Sequence, residues 1–138
     1  MATIRDLRSN VIVRNIEPAD APVWEALRRD LWPDGAEDHA PEIAMFFAGT
    51  LEEPSAVLVA ESSVGEIIGF VELAIRADVA GLEGKRVGYV EGLYVIPEVR
   101  QRGLARKLLQ ASRNWARQQK CTAFASDRAG RVVVDRTF

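Results

Sequence analysis

The sequence is poor in cysteine and histidine, with a single copy of each among its 138 residues. One cysteine, Cys121, cannot form a disulfide within the chain, and one histidine, His39, cannot complete a zinc site of the usual ligand spacing with it. We therefore expect neither a disulfide framework nor a metal site. A Cys/His nucleophile pair is formally possible, but Cys121 lies in the apolar segment CTAFAS, which favours a buried structural thiol.

The sequence also lacks a long apolar run. No stretch approaches the roughly 20 residues that a membrane helix needs, and the first ten residues, MATIRDLRSN, carry charges where a signal peptide has its apolar centre. We therefore expect a cytoplasmic protein with no membrane partner. The length suits one compact domain, and 48% apolar with 28% charged residues is an ordinary composition for a soluble chain.

The net charge of −2 conceals an uneven distribution. Residues 1–97 contain 8 Lys/Arg and 17 Asp/Glu, whereas residues 98–138 contain 10 and 3. One part of the molecule could therefore bind a cation and the other an anion. Two solvated faces that merely differ in charge are an equally good explanation of the counts.

The spacing of apolar residues predicts an α/β (α+β) fold with a mixed, mostly antiparallel central sheet flanked by helices. Helices are expected from an N-cap at Asp20 to Leu31, from Pro41 to Gly49, and over the amphipathic segment GLARKLLQASRNWARQQ. The predicted strands cover residues 11–16, 55–61, 66–76, 87–97 and 121–127, with a further short strand in 131–138.

The segment RQRGLA, which is residues 100–105, joins a predicted strand to an amphipathic helix. A helix N-terminus presents free backbone N–H groups and a partial positive charge, so it is a natural anion site. Gly103 and Ala105 allow a ligand to approach the backbone, and Arg100 and Arg102 add charge. The segment lacks the glycine spacing of both a P-loop and a dinucleotide-binding turn.

This segment fits the pattern Arg/Gln-x-x-Gly-x-Gly/Ala and resembles the GCN5-related N-acetyltransferases, in which that turn binds the pyrophosphate of acetyl-CoA. The segments LRRDLWPDG, EGLYVIPEVRQRGLARKLL and WARQQKCTAFASD are similar to those of the smaller, dimeric aminoglycoside 6'-N-acetyltransferases. The likeness runs from about Ile12 to Asp127. It implies an acyl-CoA N-acyltransferase fold, acetyl-CoA as cosubstrate without a metal, a small cationic amine as substrate, a homodimer and a role in antibiotic resistance.

The resemblance also implies which residues bind acetyl-CoA. The exposed backbone of the strand before the turn would pair with the pantetheine arm, and the turn would hold the pyrophosphate, as strand edges and helix N-termini allow. The cofactor-binding residues implied in this way are Leu93, Tyr94, Val95, Arg100, Gln101, Arg102, Gly103, Leu104 and Ala105.

The same resemblance assigns four residues to catalysis and substrate binding. Glu91 would bind the substrate amine and help to remove its proton, and the backbone N–H of Leu93 would donate to the thioester oxygen. Trp32 could stack on a sugar ring, and Asp127 could bind an ammonium group. Each side chain also has an ordinary alternative, which is a sheet-face carboxylate for Glu91, a core residue for Trp32 and a turn cap for Asp127.

The sequence departs from the family after ASD, so that residues from about 128 are an atypical part of the single acetyltransferase domain expected over 1–138. The family continues there with a cofactor-contacting asparagine, a further helix and a terminal hairpin. Here the asparagine position falls among Val132 to Val134, we expect no last helix, and the loop tyrosine of the family is replaced by Val79. The fold would need RVVVDRTF to add a strand or a second subunit to complete the sheet.

Two other functions stay open on the sequence. A truncated acyl-CoA-binding remnant with little activity, or an acetyltransferase for another small amine, would keep the fold and the cosubstrate. Nucleic-acid binding by the basic helix is disfavoured because the sequence pI is about 5.5, so we expect no nucleic-acid partner. The basic residues in question are Arg102, Arg106, Lys107, Arg113 and Arg117.

Overall fold

The structure, a computed structural model, describes residues 3–138. Its centre is a six-stranded sheet in which the strands follow one another in chain order. All neighbouring strands are antiparallel except β4 and β5, which are parallel. This confirms the mixed, mostly antiparallel sheet. The strands are β1 (Ile12–Asn15), β2 (Ala56–Glu61), β3 (Ile67–Arg76), β4 (Val87–Val95), β5 (Ala123–Arg128) and β6 (Arg131–Val134).

The helices are α1 (Ile4–Arg8), α2 (Ala21–Leu31), α3 (His39–Ala48) and α4 (Leu104–Gln118). The sequence predicted the last three but not α1. This helix has five residues, and reciprocal hydrogen bonds between Thr3 and Asp6 cap its first turn. Five residues are too few to show the apolar periodicity that predicts a helix, and every α1 residue stays at least partly exposed. Within residues 3–138, no helix is both long and apolar enough to span a membrane.

Helices cover both faces of the sheet. Alternate residues of β2 point to opposite faces: Val57 and Val59 pack with α2 and α3, whereas Leu58 and Ala60 belong to the cluster that contains α4. The middle of β3 is buried on both faces, which explains its continuous apolar sequence. Helix α4 lies so close to β4 that a Cβ on Gly88 would come within 2.5 Å of the Ala116 Cβ.

Asp20 occupies the N-cap position of α2, as predicted, but its side chain makes no capping hydrogen bond to that helix. A 3₁₀ turn, Pro18–Asp20, runs directly into α2, and the Asp20 carboxylate accepts the Glu17 N–H of that turn at 2.8 Å. The same carboxylate binds the Arg14 guanidinium at 2.8 and 3.0 Å. Asp20 therefore fixes the approach to α2 and ties it to β1, instead of capping the helix through its side chain.

The segment RVVVDRTF does add a strand, but a shorter one than the predicted 131–138. Strand β6 pairs with β5 and ends at Val134, after which the Asp135 carboxylate binds Arg113 of α4. The Phe138 ring then stacks on Phe124 of β5 with a centroid separation of 5.5 Å. Among the described residues, α4 is the last helix, as expected.

Candidate active site

Strands β4 and β5 separate halfway along their length. Their parallel ladder runs from Val87, opposite Ala123, to Val90, opposite Ser126, and ends there. From Glu91 onward β4 pairs only with β3 among the described residues, so its other edge faces a cleft of about 710 Å³ between the two strands. A free strand edge of this kind can hydrogen-bond an extended ligand.

A β-bulge in β4 marks the place where the strands part. Leu73 of β3 lies opposite Val90 and Glu72 lies opposite Gly92, which leaves Glu91 as the extra residue. A bulge re-aims the side chains around it and bends its strand. Here it places Glu91 at the mouth of the cleft.

The backbone beyond the bulge alternates in direction. Ile96 donates its N–H to the Ile68 carbonyl of β3 at 3.0 Å. In an antiparallel strand, the backbone groups of Tyr94 therefore also face β3, while those of Leu93 and Val95 face the cleft. Of the three residues expected to pair with pantetheine, Leu93 and Val95 have the required backbone direction, and Tyr94 offers its ring.

The RQRGLA turn forms a cradle before α4. Gln101 and Gly103 have positive φ of 64° and 81°, and a Cβ on Gly103 would point into open space. A turn that contains left-handed residues can direct several backbone N–H groups toward one ligand. The free N–H groups of the first turn of α4 lie beside them. The cradle borders a cavity of about 560 Å³.

Most of the predicted cofactor residues border this same cavity. Arg100 holds the turn against β4, because its Nε donates to the Val95 carbonyl at 2.8 Å and its guanidinium lies 5.2 Å from the Tyr94 ring centroid. Arg102 is exposed and lies outside the lining residues. The predicted residues that line the cavity are Leu93, Tyr94, Val95, Arg100, Gln101, Gly103, Leu104 and Ala105.

A strongly acidic cavity of about 470 Å³ lies at the other end of the cleft. Seven carboxylates and two guanidinium groups line it, so its field favours a ligand with several positive charges. The seven carboxylates are those of Asp34, Asp38, Glu42, Glu53, Glu72, Glu91 and Asp127.

Glu91 shares an arginine with a second glutamate. One terminal nitrogen of Arg76 lies 2.9 Å from Glu53 Oε1 and 3.0 Å from Glu91 Oε2, and Arg76 Nε donates to Glu53 at 3.2 Å. The guanidinium also sits 4.2 Å from the Tyr89 ring centroid. Burial, followed by the hydrogen bond and charge of Glu53, raises the pKa of Glu91 to about 7, although Arg76 opposes the increase.

A buried ion pair forms the floor of the acidic cavity. Arg28 of α2 contacts Glu72 of β3 through Nε at 2.7 Å and through a terminal nitrogen at 3.1 Å. The Trp24 indole also donates to Glu72, at 2.9 Å, and Glu42 of α3 binds the other terminal nitrogen of Arg28 at 2.8 Å. These contacts fix α2 and α3 against the sheet, and the partners satisfy both buried charges.

Trp32 follows α2 directly and closes the cavity over β4. Its ring occupies the space of a side chain at Gly92, where a Cβ would come within 2.3 Å of it. The ring also packs edge-on to Phe70 at 6.4 Å and lies 5.3 Å from the Arg28 guanidinium. His39 Nε2 lies 2.9 Å from the Trp32 carbonyl, and Trp32 remains half-exposed. Trp32 is therefore packed on one side and available to a ligand on the other.

Asp127 caps a turn, which was one of the two roles predicted for it from the sequence. Its carboxylate accepts the Gly130 N–H at 2.9 Å in the β5–β6 hairpin. It is nevertheless exposed and borders both the acidic cavity and the cleft, as do Trp32 and Glu91. The structure thus brings the three predicted substrate residues to one junction.

Several charged residues at this site were not predicted from the sequence. Glu72 left one trace, since it is a lone carboxylate inside the apolar run IIGFVELAI, and a buried carboxylate needs a partner. Its partner Arg28, and the pair Glu53 and Arg76, are far apart in sequence and meet only in the fold. The predicted structural role of Cys121 is consistent with its burial, which raises the pKa of its thiol.

Comparison with known proteins identifies the family. The sequence model of the acetyltransferase (GNAT) family matches residues 23–132. The aminoglycoside N(6')-acetyltransferase type 1 of Klebsiella aerogenes is 42% identical over 120 residues, which cover 86% of this chain and 79% of the relative. A protein of the same name from Stenotrophomonas maltophilia is 40% identical over 116 residues, covering 83% and 73%.

Solved structures of aminoglycoside acetyltransferases are also similar to this chain. The aminoglycoside acetyltransferase AAC(6')-Iy in complex with the bisubstrate analogue CoA-S-monomethyl-acetylneamine superimposes with a TM-score of 0.77 at 30% identity, covering 87% of this chain and 80% of that one. The 6'-N-acetyltransferase AAC(6')-Ih from Acinetobacter baumannii gives a TM-score of 0.75 at 32% identity, covering 86% and 80%. With its splayed strands, its cradle before α4 and these relatives, the chain belongs to the acetyltransferase (GNAT) family.

Proposed function

We propose that the protein transfers the acetyl group of acetyl-CoA to the 6'-amino group of an aminoglycoside, by direct attack of the amine on the thioester. The observation that carries this proposal is the junction at Glu91, where the acidic cavity opens onto the unpaired edge of β4. A polycationic amine and an extended acyl thioester can meet at that junction, which the two cavities share. The relatives named above carry the same activity in their names.

The chain would hold acetyl-CoA mainly through its backbone. The outward C=O of Leu93 and N–H of Val95 would pair with the amides of the pantetheine arm, while Arg100 already binds the Val95 carbonyl. The N–H groups of Gln101 to Ala105, with Arg100 and the exposed Arg102 beside them, would bind the pyrophosphate. The open space over Gly103 fits this role, because the phosphates must approach the backbone closely.

Glu91 would supply the base. A primary ammonium must lose a proton before its nitrogen can attack, and a carboxyl group with a pKa of about 7 is well matched to that transfer near neutral pH. The C–N bond then forms while the Leu93 N–H donates to the carbonyl oxygen as negative charge develops there. The C–S bond breaks, and the second proton lost by the nitrogen goes to the departing sulfur, directly or through water.

The substrate would be recognised by the remaining charged and aromatic groups of the acidic cavity. The exposed face of Trp32 can stack on an amino sugar, and Asp127 can pair with a further ammonium group while it still caps its turn. The excess of carboxylates would attract polycations over simple amines. This supports an aminoglycoside in preference to another small amine.

We further propose that one acetyltransferase domain spans residues 1–138 and that the protein is a homodimer in the cytoplasm. Strand β6 supports pairing, because it is an edge strand with Val132 and Val133 exposed at 43% and 40%. Analytical ultracentrifugation across a concentration series tests whether the protein is a dimer.

The function is tested by calorimetric titration of acetyl-CoA into the protein, followed by thiol release with kanamycin or tobramycin and location of the acetyl group by NMR. Binding with release and acetylation at the 6' position is the expected result. Release only with a panel of simple amines would identify another small-amine acetyltransferase. Binding without release would identify an acyl-CoA-binding protein with little activity, and absence of binding would overturn the assignment of the cradle.

A further inference from the structure

A second carboxylate competes for the arginine that accompanies the catalytic base. Glu53 precedes β2 by three residues and reaches across the end of β3 to Arg76, which it contacts through two guanidinium nitrogens at 3.2 and 2.9 Å. Glu91 contacts the guanidinium through only one of these nitrogens, at 3.0 Å. The bidentate contact is geometrically the stronger of the two.

We propose that Glu53 is a positioning residue of the amine site: by binding Arg76 through two nitrogens, it prevents the guanidinium from fully neutralising Glu91 and leaves Glu91 able to accept the substrate proton. The inference rests on the proposed function. Glu53 and Arg76 were not among the residues that the sequence resemblance implied.

The competition matters because the arriving ligand is itself a cation. If Arg76 were paired with Glu91 alone, its positive charge would lie where the substrate ammonium must bind, and like charges at that distance repel. Glu53, together with the Tyr89 ring 4.2 Å below the guanidinium, gives Arg76 a second set of partners. Arg76 can then release Glu91 to the ammonium without becoming an unpaired charge.

The other ionisable groups around Glu91 make its environment predominantly negative. Burial makes the largest contribution to the raised pKa of Glu91, and the hydrogen bond and charge of Glu53 follow. From the neighbouring strands Glu72, Arg76, Tyr89 and Asp127 face the same cavity, and from α2, α3 and the segment between them so do Arg28, Asp34, Asp38, His39 and Glu42. Arg28 is already paired with Glu72 and Glu42, which leaves Arg76 as the counter-charge that acts on Glu91.

Substitution of Glu53 and substitution of Arg76 should shift the titration midpoint of Glu91 in opposite directions. Glu53→Gln removes a neighbouring negative charge and frees Arg76 for Glu91, so the ionised form of Glu91 becomes more favourable and its titration midpoint falls. Arg76→Gln removes the counter-charge, so the midpoint rises. Because Glu91 must be ionised to act as a base, the acid limb of the kcat/KM profile moves in the same direction in each case.

The first readout is independent of turnover. The protein is labelled with ¹³C at the glutamate carboxyl carbons, the Glu91 signal is identified by its loss in Glu91→Gln, and its midpoint is measured without substrate. We expect Glu53→Gln to lower the midpoint by about one pH unit, as for removal of a nearby like charge. Glu52→Gln, an exposed neighbour in the same loop, serves as the matched control and should leave the midpoint unchanged.

The second readout is the pH profile of kcat/KM for the aminoglycoside. Glu53→Gln should shift the acid limb down, and Glu53→Asp, which keeps the charge, should return it toward the wild-type position. An unchanged Glu91 midpoint in Glu53→Gln would overturn the inference, even if the rate falls. If Glu53→Gln does not fold, an Arg76→Gln midpoint that does not rise overturns it instead. Failure of the proposed function would appear separately, as absent turnover with the NMR shifts intact.

Discussion

The acidic cavity and the cleft between β4 and β5 meet at Glu91, but they are constructed in different ways. The cavity is formed by side chains, and ion pairs such as those of Arg28 and Arg76 connect five separate parts of the chain. The cleft instead offers the free backbone edge of β4, and the cradle beside it offers the backbone of the turn before α4. Substrate selection should therefore respond to changes of charge, and acetyl-CoA binding to changes of backbone conformation.

Glu91→Gln should have the most unequal effects on the two regions, changing turnover but not acetyl-CoA binding. Removal of the proposed base should lower kcat by about 10²- to 10⁴-fold, the usual contribution of general base catalysis. The dissociation constant for acetyl-CoA should stay unchanged, because the cleft uses the backbone of β4. Stopped-flow thiol release and calorimetry measure the two quantities. A kcat within tenfold of the wild type would show that water can replace Glu91 as the base.

Removal of a buried charge should affect the cavity through stability. Glu72→Gln leaves Arg28, whose side chain is 7% exposed, without its main counter-charge. We expect the free energy of unfolding to fall by about 3 kcal/mol in urea titrations, since an unpaired buried charge is costly. Glu66→Gln, an exposed residue before β3, is the control and should change little. Equal stability of the two variants would mean that Glu42 alone can balance Arg28.

Gly92→Ala tests the contact between β4 and Trp32. The new methyl group would lie 2.3 Å from the Trp32 ring, so the ring must move. We expect a loss of about 1–3 kcal/mol in stability, typical of overpacking, and a higher KM for the aminoglycoside. The KM for acetyl-CoA should change less. An unchanged aminoglycoside KM would argue against stacking on Trp32.

A matched pair of glycine substitutions isolates the cradle. Gly103 and Gly65 have similar positive φ, 81° and 83°, and a Cβ at either would meet open space. Alanine at each position should cost about 1 kcal/mol of stability through left-handed strain. Only Gly103→Ala should weaken acetyl-CoA binding, by several-fold, because only Gly103 belongs to the cradle. Equal affinity in both variants would remove the turn from the cofactor site.

A change of salt concentration should have the smallest effect, and the effect should fall on the aminoglycoside KM. Raising ionic strength shortens the range of the field from the acidic cavity, so the aminoglycoside KM should increase by about two- to fivefold between low and physiological salt. The effect is measured from initial rates in a chloride series at fixed acetyl-CoA. A salt-independent KM would mean that direct contacts, and not the field of the cavity, select the substrate.

Most of the fold could be predicted because its signals are local. Apolar alternation and turn residues located the six strands to within a few residues, and the stripe of α4 located that helix. Helix α1 was missed because it is short and buries no side chain completely. The partners of the Asp20 carboxylate were also missed, because its contact with Arg14 of β1 lies outside local sequence rules.

The order of helices and strands along the chain, the turn before α4 and the place of Glu91 on the strand that leads to it could be predicted, because each depends on neighbouring residues. Local rules do not reveal the bulge at Glu91, the sharing of Arg76 by Glu53 and Glu91, or the Arg28–Glu72 pair beneath them, all of which arise on folding. These groups come from α2, the loop before β2, β3 and β4, and their charges interact strongly only after folding removes the water between them.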